Sequence, residues 1–149
     1  MDKLDNLKIE NARIIFRNFS GEQSQYNRAG DRNFCVVLTD MNLVEELKAD
    51  GWNIKERPPR EEGDEPFCYM QVKVAFGQYP PMIYLVNSKG KLQMDEESIE
   101  AFDNIEIENV DLIIRPYTWE VNGKEGIKAY VKTMYVTQRE DEFASKYEE

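Results

Sequence analysis

The sequence predicts a mostly β protein: one small, single-domain β-barrel over residues 1–139, with one or two short helices, followed by a disordered acidic tail over residues 140–149. Three observations predict it. Apolar and polar residues alternate along several stretches, as they do on a strand with one buried face. Asn122-Gly123 separates two long alternating runs, and Asn-Gly is the strongest short-range signal of a two-residue hairpin loop. A length of 149 residues with 41% hydrophobic content fits one domain with one core.

Residues 7–19 (LKIENARIIFRNF) are rich in Ile, Phe and Arg and read as a long first strand. Residues 20–30 (SGEQSQYNRAG) are polar and glycine-bounded, hence a loop. Residues 33–39 (NFCVVLT) form a continuous apolar run and predict a strand buried on both faces. Asp40 then stands as an N-cap for a helix over 41–49, where Leu43, Val44 and Leu47 fall at helical spacing and Gly51 ends the turn. A short strand over 52–55 precedes a charged, proline-bearing loop over 57–66.

From Phe67 the alternation sharpens: Met70, Val72, Val74 and Phe76 point one way, Tyr69, Gln71 and Lys73 the other. Residues 82–86 and 91–94 flank a turn as a hairpin, and Asp95 caps a short acidic helix around 96–102. Residues 106–121 and 124–138 supply the closing pair of strands. Six or seven strands in a chain this short favour an OB-like barrel, because closure removes exposed edges; a β-sandwich is the competitor.

The net charge of −10 excludes a generally basic, polyanion-coating protein, but the charge is segregated. Residues 91–111 sum to −7 and residues 140–149 to −4, whereas residues 112–139 sum to +3 and residues 13–34 to +2. Two β-rich segments are therefore locally basic.

Several classes of chemistry are disfavoured. The chain has no histidine, the commonest general base and metal ligand, so neither Cys35 nor Cys68 has a Cys–His pairing open to it. The two cysteines sit apart among apolar residues, which suits reduced buried thiols and a cytoplasmic location rather than a disulfide or zinc site. There is no glycine-rich phosphate loop, and the acids of 95–111 read as a solvated face rather than a magnesium site. No run approaches the ~20 apolar residues of a membrane span, and the start MDKLDNLKIE lacks a signal-peptide pattern. Catalytic residues, cofactors and metals are not expected.

The Asn122-Gly123 turn also fixes a register, pairing Val121 with Lys124, Thr118 with Ile127, Pro116 with Ala129, Ile114 with Val131 and Leu112 with Thr133 on a core face. The opposite face then pairs Tyr117 with Lys128, Arg115 with Tyr130 and Ile113 with Lys132, and sets Trp119 opposite Gly126, which leaves room for a flat ring. Tyr69 and Lys73 extend this face on another strand. Aromatic rings stack on nucleobases of any identity while Lys and Arg follow phosphates, so the face suits a single-stranded polynucleotide. The bland alternative is that the same pairs only stabilise the sheet.

A weaker second candidate interleaves Arg13, Arg17, Arg28 and Arg32 with Phe16, Phe19, Tyr26 and Phe34. Phe16 and Phe34 are assigned to the core, while Tyr26 and Arg28, in the polar loop, are placed to clamp a strand from above. In the acidic tail, Phe143 and Tyr147 are candidates for docking basic partner proteins or for occupying the basic face.

The order of these parts resembles a known family. A strand LKIENARIIFRNF, a polar loop, the strand NFCVVLT, the closing stretch VDLIIRPYTWEVNGKEGIKAYVKTMYV and an acidic terminus are together similar to small OB-fold single-stranded DNA-binding proteins of bacteriophages. The resemblance spans most of the chain and implies sequence-tolerant coating of single strands in phage replication or recombination. It also implies a homodimer, with the tail recruiting replication or recombination proteins in the host cytoplasm. The insertion over 41–66 departs from the simplest such barrel. The competing reading is an acidic protein–protein module, such as a phage inhibitor, DNA mimic or structural component.

Overall fold

The computed structural model of the chain describes residues 4–25, 27–58, 62–63 and 67–140. Its strands in chain order are β1 (Leu7–Asn18), β2 (Arg32–Leu38), β3 (Lys55–Arg57), β4 (Phe67–Val74), β5 (Met82–Asn87), β6 (Gly90–Met94), β7 (Ile107–Val121) and β8 (Lys124–Gln138). One helix, α1 (Met41–Asp50), follows β2, and a 3₁₀ turn (Ile99–Asp103) precedes β7. In space the strands run β3-β4-β2-β1-β7-β8-β5-β6, and β4 also pairs with β8. That extra pairing closes a five-stranded barrel of β1, β2, β4, β8 and β7.

Two chain segments share one lane beside β8. In parallel with it, β4 contributes Val72 beside Ala129 and Lys73 beside Tyr130. After β4 ends, β5 takes over the lane, from Met82 beside Thr133 to Val86 beside Thr137. The inside of the barrel is filled by Phe34, Val36, Met70, Val72, Val110, Leu112, Ile114, Val131 and Met134, all buried. Helix α1 begins where the Asp40 carboxylate accepts hydrogen bonds from the amides of Asn42 and Leu43, and ends on Gly51 in the left-handed conformation (φ 101°). It sets Val44 and Leu47 into the core beside Trp52.

Three expectations need correction. The short strand after α1 begins at Lys55 rather than at Trp52: Trp52, its indole buried in the core, makes only an isolated parallel bridge with Ile127. The acidic helix is a 3₁₀ turn whose N-cap is Ser98, without a side-chain capping bond; Asp95 instead holds the turn ahead of it, accepting from the amides of Glu97 and Ser98. Finally, the hairpin register holds from Val121–Lys124 to Ile114–Val131 and then shifts: Ile113 pairs with Thr133 and Leu112 with Met134, leaving Lys132 as an extra residue. The cause is packing. Strict alternation after Val131 would turn Thr133 and Tyr135 inward, whereas one inserted residue lets Met134 and Val136 be buried instead.

Among the described residues, no helix is long and apolar enough to cross a membrane. Cys35 and Cys68 are both buried and unpaired with one another.

Candidate nucleic-acid interface

The β7–β8 hairpin turns on Asn122 (φ 52°) and Gly123 (φ 80°), both left-handed as a type I′ loop requires. That geometry sends one row of side chains inward and the other outward. Outward stand Tyr117, which is 51% exposed, the exposed Lys128, and the half-buried Arg115, Trp119 and Tyr130. Tyr117 meets Tyr130 edge to face, with ring centroids 6.1 Å apart, and the Arg115 guanidinium lies 5.6 Å from the Tyr130 ring. A Cβ built on Gly126 would come within 2.7–2.9 Å of the Trp119 indole, so the ring lies flat on the glycine backbone. Lys73 sits directly beside Tyr130 across the parallel β4–β8 pair. Arg115, Tyr117, Trp119, Lys128, Tyr130 and Lys73 thus form one outward patch of rings and cations.

Lys132 is exposed, but as the bulge residue it has left the pairing with Ile113. Tyr69 faces outward on β4 as expected, but within a different cluster. Its ring lies 5.8 Å from that of Phe16 and 5.8 Å from that of Phe67, and the Arg57 guanidinium sits over both Phe16 and Tyr69, at 5.2 and 5.9 Å.

Phe16 corrects its assignment to the core: it is 53% exposed. Counting by twos from Ala12 and Ile14, both partly buried against the core, would bury it. The β1–β2 register shifts between Ile15 and Asn18, however, and the shift turns Phe16 out (φ 51°). Phe34 and Phe19 are fully buried, the former as assigned.

The four arginines of the second candidate do not act together. Arg17 donates from Nη1 to the carbonyls of Phe102 and Ile105, 2.8 Å each, and so pins the 3₁₀ turn. Arg32 pairs with Glu96 at 3.5 Å and lies 5.9 Å over the Phe76 ring. Arg13 is exposed on β1. Arg28 is exposed in the loop between β1 and β2, whose base is tied by the Gly30 amide to the Gly21 carbonyl and by Asn33 Nδ2 to Asn27 Oδ1. Tyr26, Phe143 and Tyr147 lie outside the described residues.

Between that loop, the outer face of β2 and β4, and the 3₁₀ turn runs a groove of about 1170 Å³. Cys35, Tyr69 and Gln71 line it on the sheet side, and Glu97, Glu100 and Asp103 on the other. Burial pushes the Cys35 thiol above its ordinary pKa, with the nearby Lys55 ammonium pulling the other way. Phe16, Arg57, Lys55 and Asn33 are the members of this face that sequence reasoning missed. Their signal is hidden by a bulge in one case and by a three-residue edge strand in another.

The family model for a phage ssDNA-binding domain matches residues 1–149. In fold the chain is similar to the single-stranded DNA-binding protein from bacteriophage Enc34, with a TM-score of 0.56 at 10% identity over 97% of this chain and 87% of that one. A C-terminally truncated form of the Enc34 protein gives 0.55 at 13% identity over 91% and 87%. The same protein in complex with ssDNA gives 0.55 at 11% identity over 91% and 88%. No curated protein matches the chain in sequence.

Proposed function

The chain belongs to the phage ssDNA-binding domain family, and from that premise we propose that it coats single-stranded DNA, indifferent to sequence, in phage replication or recombination. Bases stack on Tyr117, Trp119 and Tyr130 while Arg115, Lys128 and Lys73 take the phosphates. The observation that carries this is the outward row on the hairpin, where the exposed Tyr117 and the half-buried Trp119 and Tyr130 sit among cations in a chain whose net charge is −10. Rings and cations on an unpaired surface are what a stacking track requires, and each stacked base is worth roughly 1–3 kcal/mol. The Enc34 protein, which shares the fold, has been captured with ssDNA bound.

Binding without catalysis fits a sequence with no histidine to act as general base. The acidic residues after 139, with Phe143 and Tyr147, belong to the same proposal as a docking segment for replication or recombination proteins. A protein–protein module has no comparable support from the family.

The test is a titration with oligo-dT at low salt, following tryptophan fluorescence. Trp52 is buried and Trp119 is partly exposed, so quenching reports on the hairpin. Saturable quenching with single strands, stronger than with duplex, is expected. An unchanged signal, together with no shift of labelled oligonucleotide, would overturn the proposal.

A further inference from the structure

Phe16 occupies a backbone position that a phenylalanine has no conformational reason to occupy. At the bulge, Phe16 and Arg17 of β1 stand against Phe34 of β2, and Phe16 has a φ of 51°. Bulges with a left-handed first residue ordinarily place glycine there, because a Cβ is strained in that conformation. A bulky side chain at positive φ is a real outlier, and such outliers collect at functional sites. The same strand offers a contrast. At its other bulge the left-handed residue is Asn11 (φ 54°), a type that tolerates the conformation, and its amide is satisfied by Asp111 at 2.9 Å.

The strain at Phe16 is not repaid by burial, since the residue is half exposed. Instead it holds the ring out over the groove, edge to face with Tyr69. Arg57 brings its guanidinium over both rings from β3, and has no acidic partner among the described residues.

We propose that Phe16, Tyr69 and Arg57 form a second base-stacking station, where one nucleobase of the single strand stacks on Phe16 and its phosphate is taken by Arg57. The inference rests on the reading of the hairpin as a DNA-binding face and extends it to a separate cluster. Tyr69 lies four residues along β4 from Lys73, the cation beside Tyr130. At 3.3 Å per residue that is about 13 Å. The outward Gln71 lies between the two stations, and a strand gripped at both would cross β4.

Phe16→Gly provides the test, because glycine relieves the strained φ while deleting the ring. A merely structural ring would show as a lower Tm with oligo-dT affinity unchanged. The proposal expects a Tm equal to or above the wild type and an affinity for long oligo-dT lowered roughly tenfold, the weight of one stacked base. If Phe16→Gly binds long oligo-dT as tightly as wild type, the second station is wrong. If wild type itself fails to bind, the hairpin reading falls first, so the two failures are distinguishable.

A second variant covers the case in which Phe16→Gly does not fold. With Trp119→Phe removing the hairpin indole and Trp52 buried, Phe16→Trp supplies one exposed reporter in the groove. Its quenching by oligo-dT supports the station, and a signal unmoved at saturation overturns it.

Discussion

Gly126 decides how Trp119 can lie. Because a Cβ at that position would come within 2.7 Å of the indole, Gly126→Ala must lift the ring or shift the strand. The ring is partly exposed and can yield, so the stability cost should stay near 1 kcal/mol, at the low end for overpacking. The binding cost should be larger: displacing one stacking ring weakens oligo-dT binding by roughly 1–3 kcal/mol. Fluorescence titration and a thermal melt of the same variant separate the two, and equal affinity with wild type would show that the flat indole is not a stacking surface.

The cysteines act at the same scale, but on stability. Burial raises the pKa of Cys35 and of Cys68 above the ordinary value of 9.0, opposed by Lys55 at the first. In the unfolded chain both thiols ionise earlier as pH rises. Their contribution is therefore fully present below about 9 and is lost as pH climbs through the folded values. Tm should fall more steeply above that pH in wild type than in a Cys35→Ala/Cys68→Ala variant; parallel curves would show that folding does not raise the thiols' pKa.

At the scale of elements, the hairpin is the part the sequence specified best. Asn-Gly sets the turn, the turn sets the register, and the register puts Trp119 on Gly126 and Arg115 beside Tyr130. Replacing Gly123 (φ 80°) by alanine should cost about 1–2 kcal/mol, the left-handed penalty for a residue with a Cβ. The register should loosen with it, so a melt and an oligo-dT titration should both suffer. An undisturbed Tm would mean the turn does not hold the ribbon.

What stayed hidden follows from the same logic of alternation. A two-residue period carries no sign of an extra residue until packing shows which side chains are buried. The bulge at Lys132 was therefore invisible, and so was the one that turns Phe16 from the core to the groove. Arg57 was hidden for another reason. A three-residue strand beside a charged loop has no pattern of its own, and only pairing with Phe67–Tyr69 on β4 shows where its cation points. Arg17 and Arg32 looked like phosphate contacts by type, yet their partners turn out to be backbone carbonyls and Glu96.

At the scale of the whole molecule, a polyanion ligand meets a chain of net charge −10. Screening decides which charges the DNA feels. At about 0.1 M salt the Debye length is about 10 Å, so Arg115, Lys128 and Lys73 act locally and the distant acids do not. At about −0.7 each, these three contacts to a single strand give a slope of about −2 in the logarithm of affinity against that of salt, and a fourth at Arg57 steepens it to about −3. Near 0.01 M the screening length grows to about 30 Å, comparable with a small domain. The acids of the 3₁₀ region then repel the strand as well, and Glu97 and Glu100 line the same groove as Tyr69. The salt plot should accordingly be straight at moderate salt and flatten at low salt. A Glu97→Gln/Glu100→Gln variant should bind more tightly at low salt and almost as wild type at high salt, which straightens the line. Oligo-dT titrations across that range give the result directly. A wild-type line that stays straight to the lowest salt would mean the acidic segments face away from the bound strand.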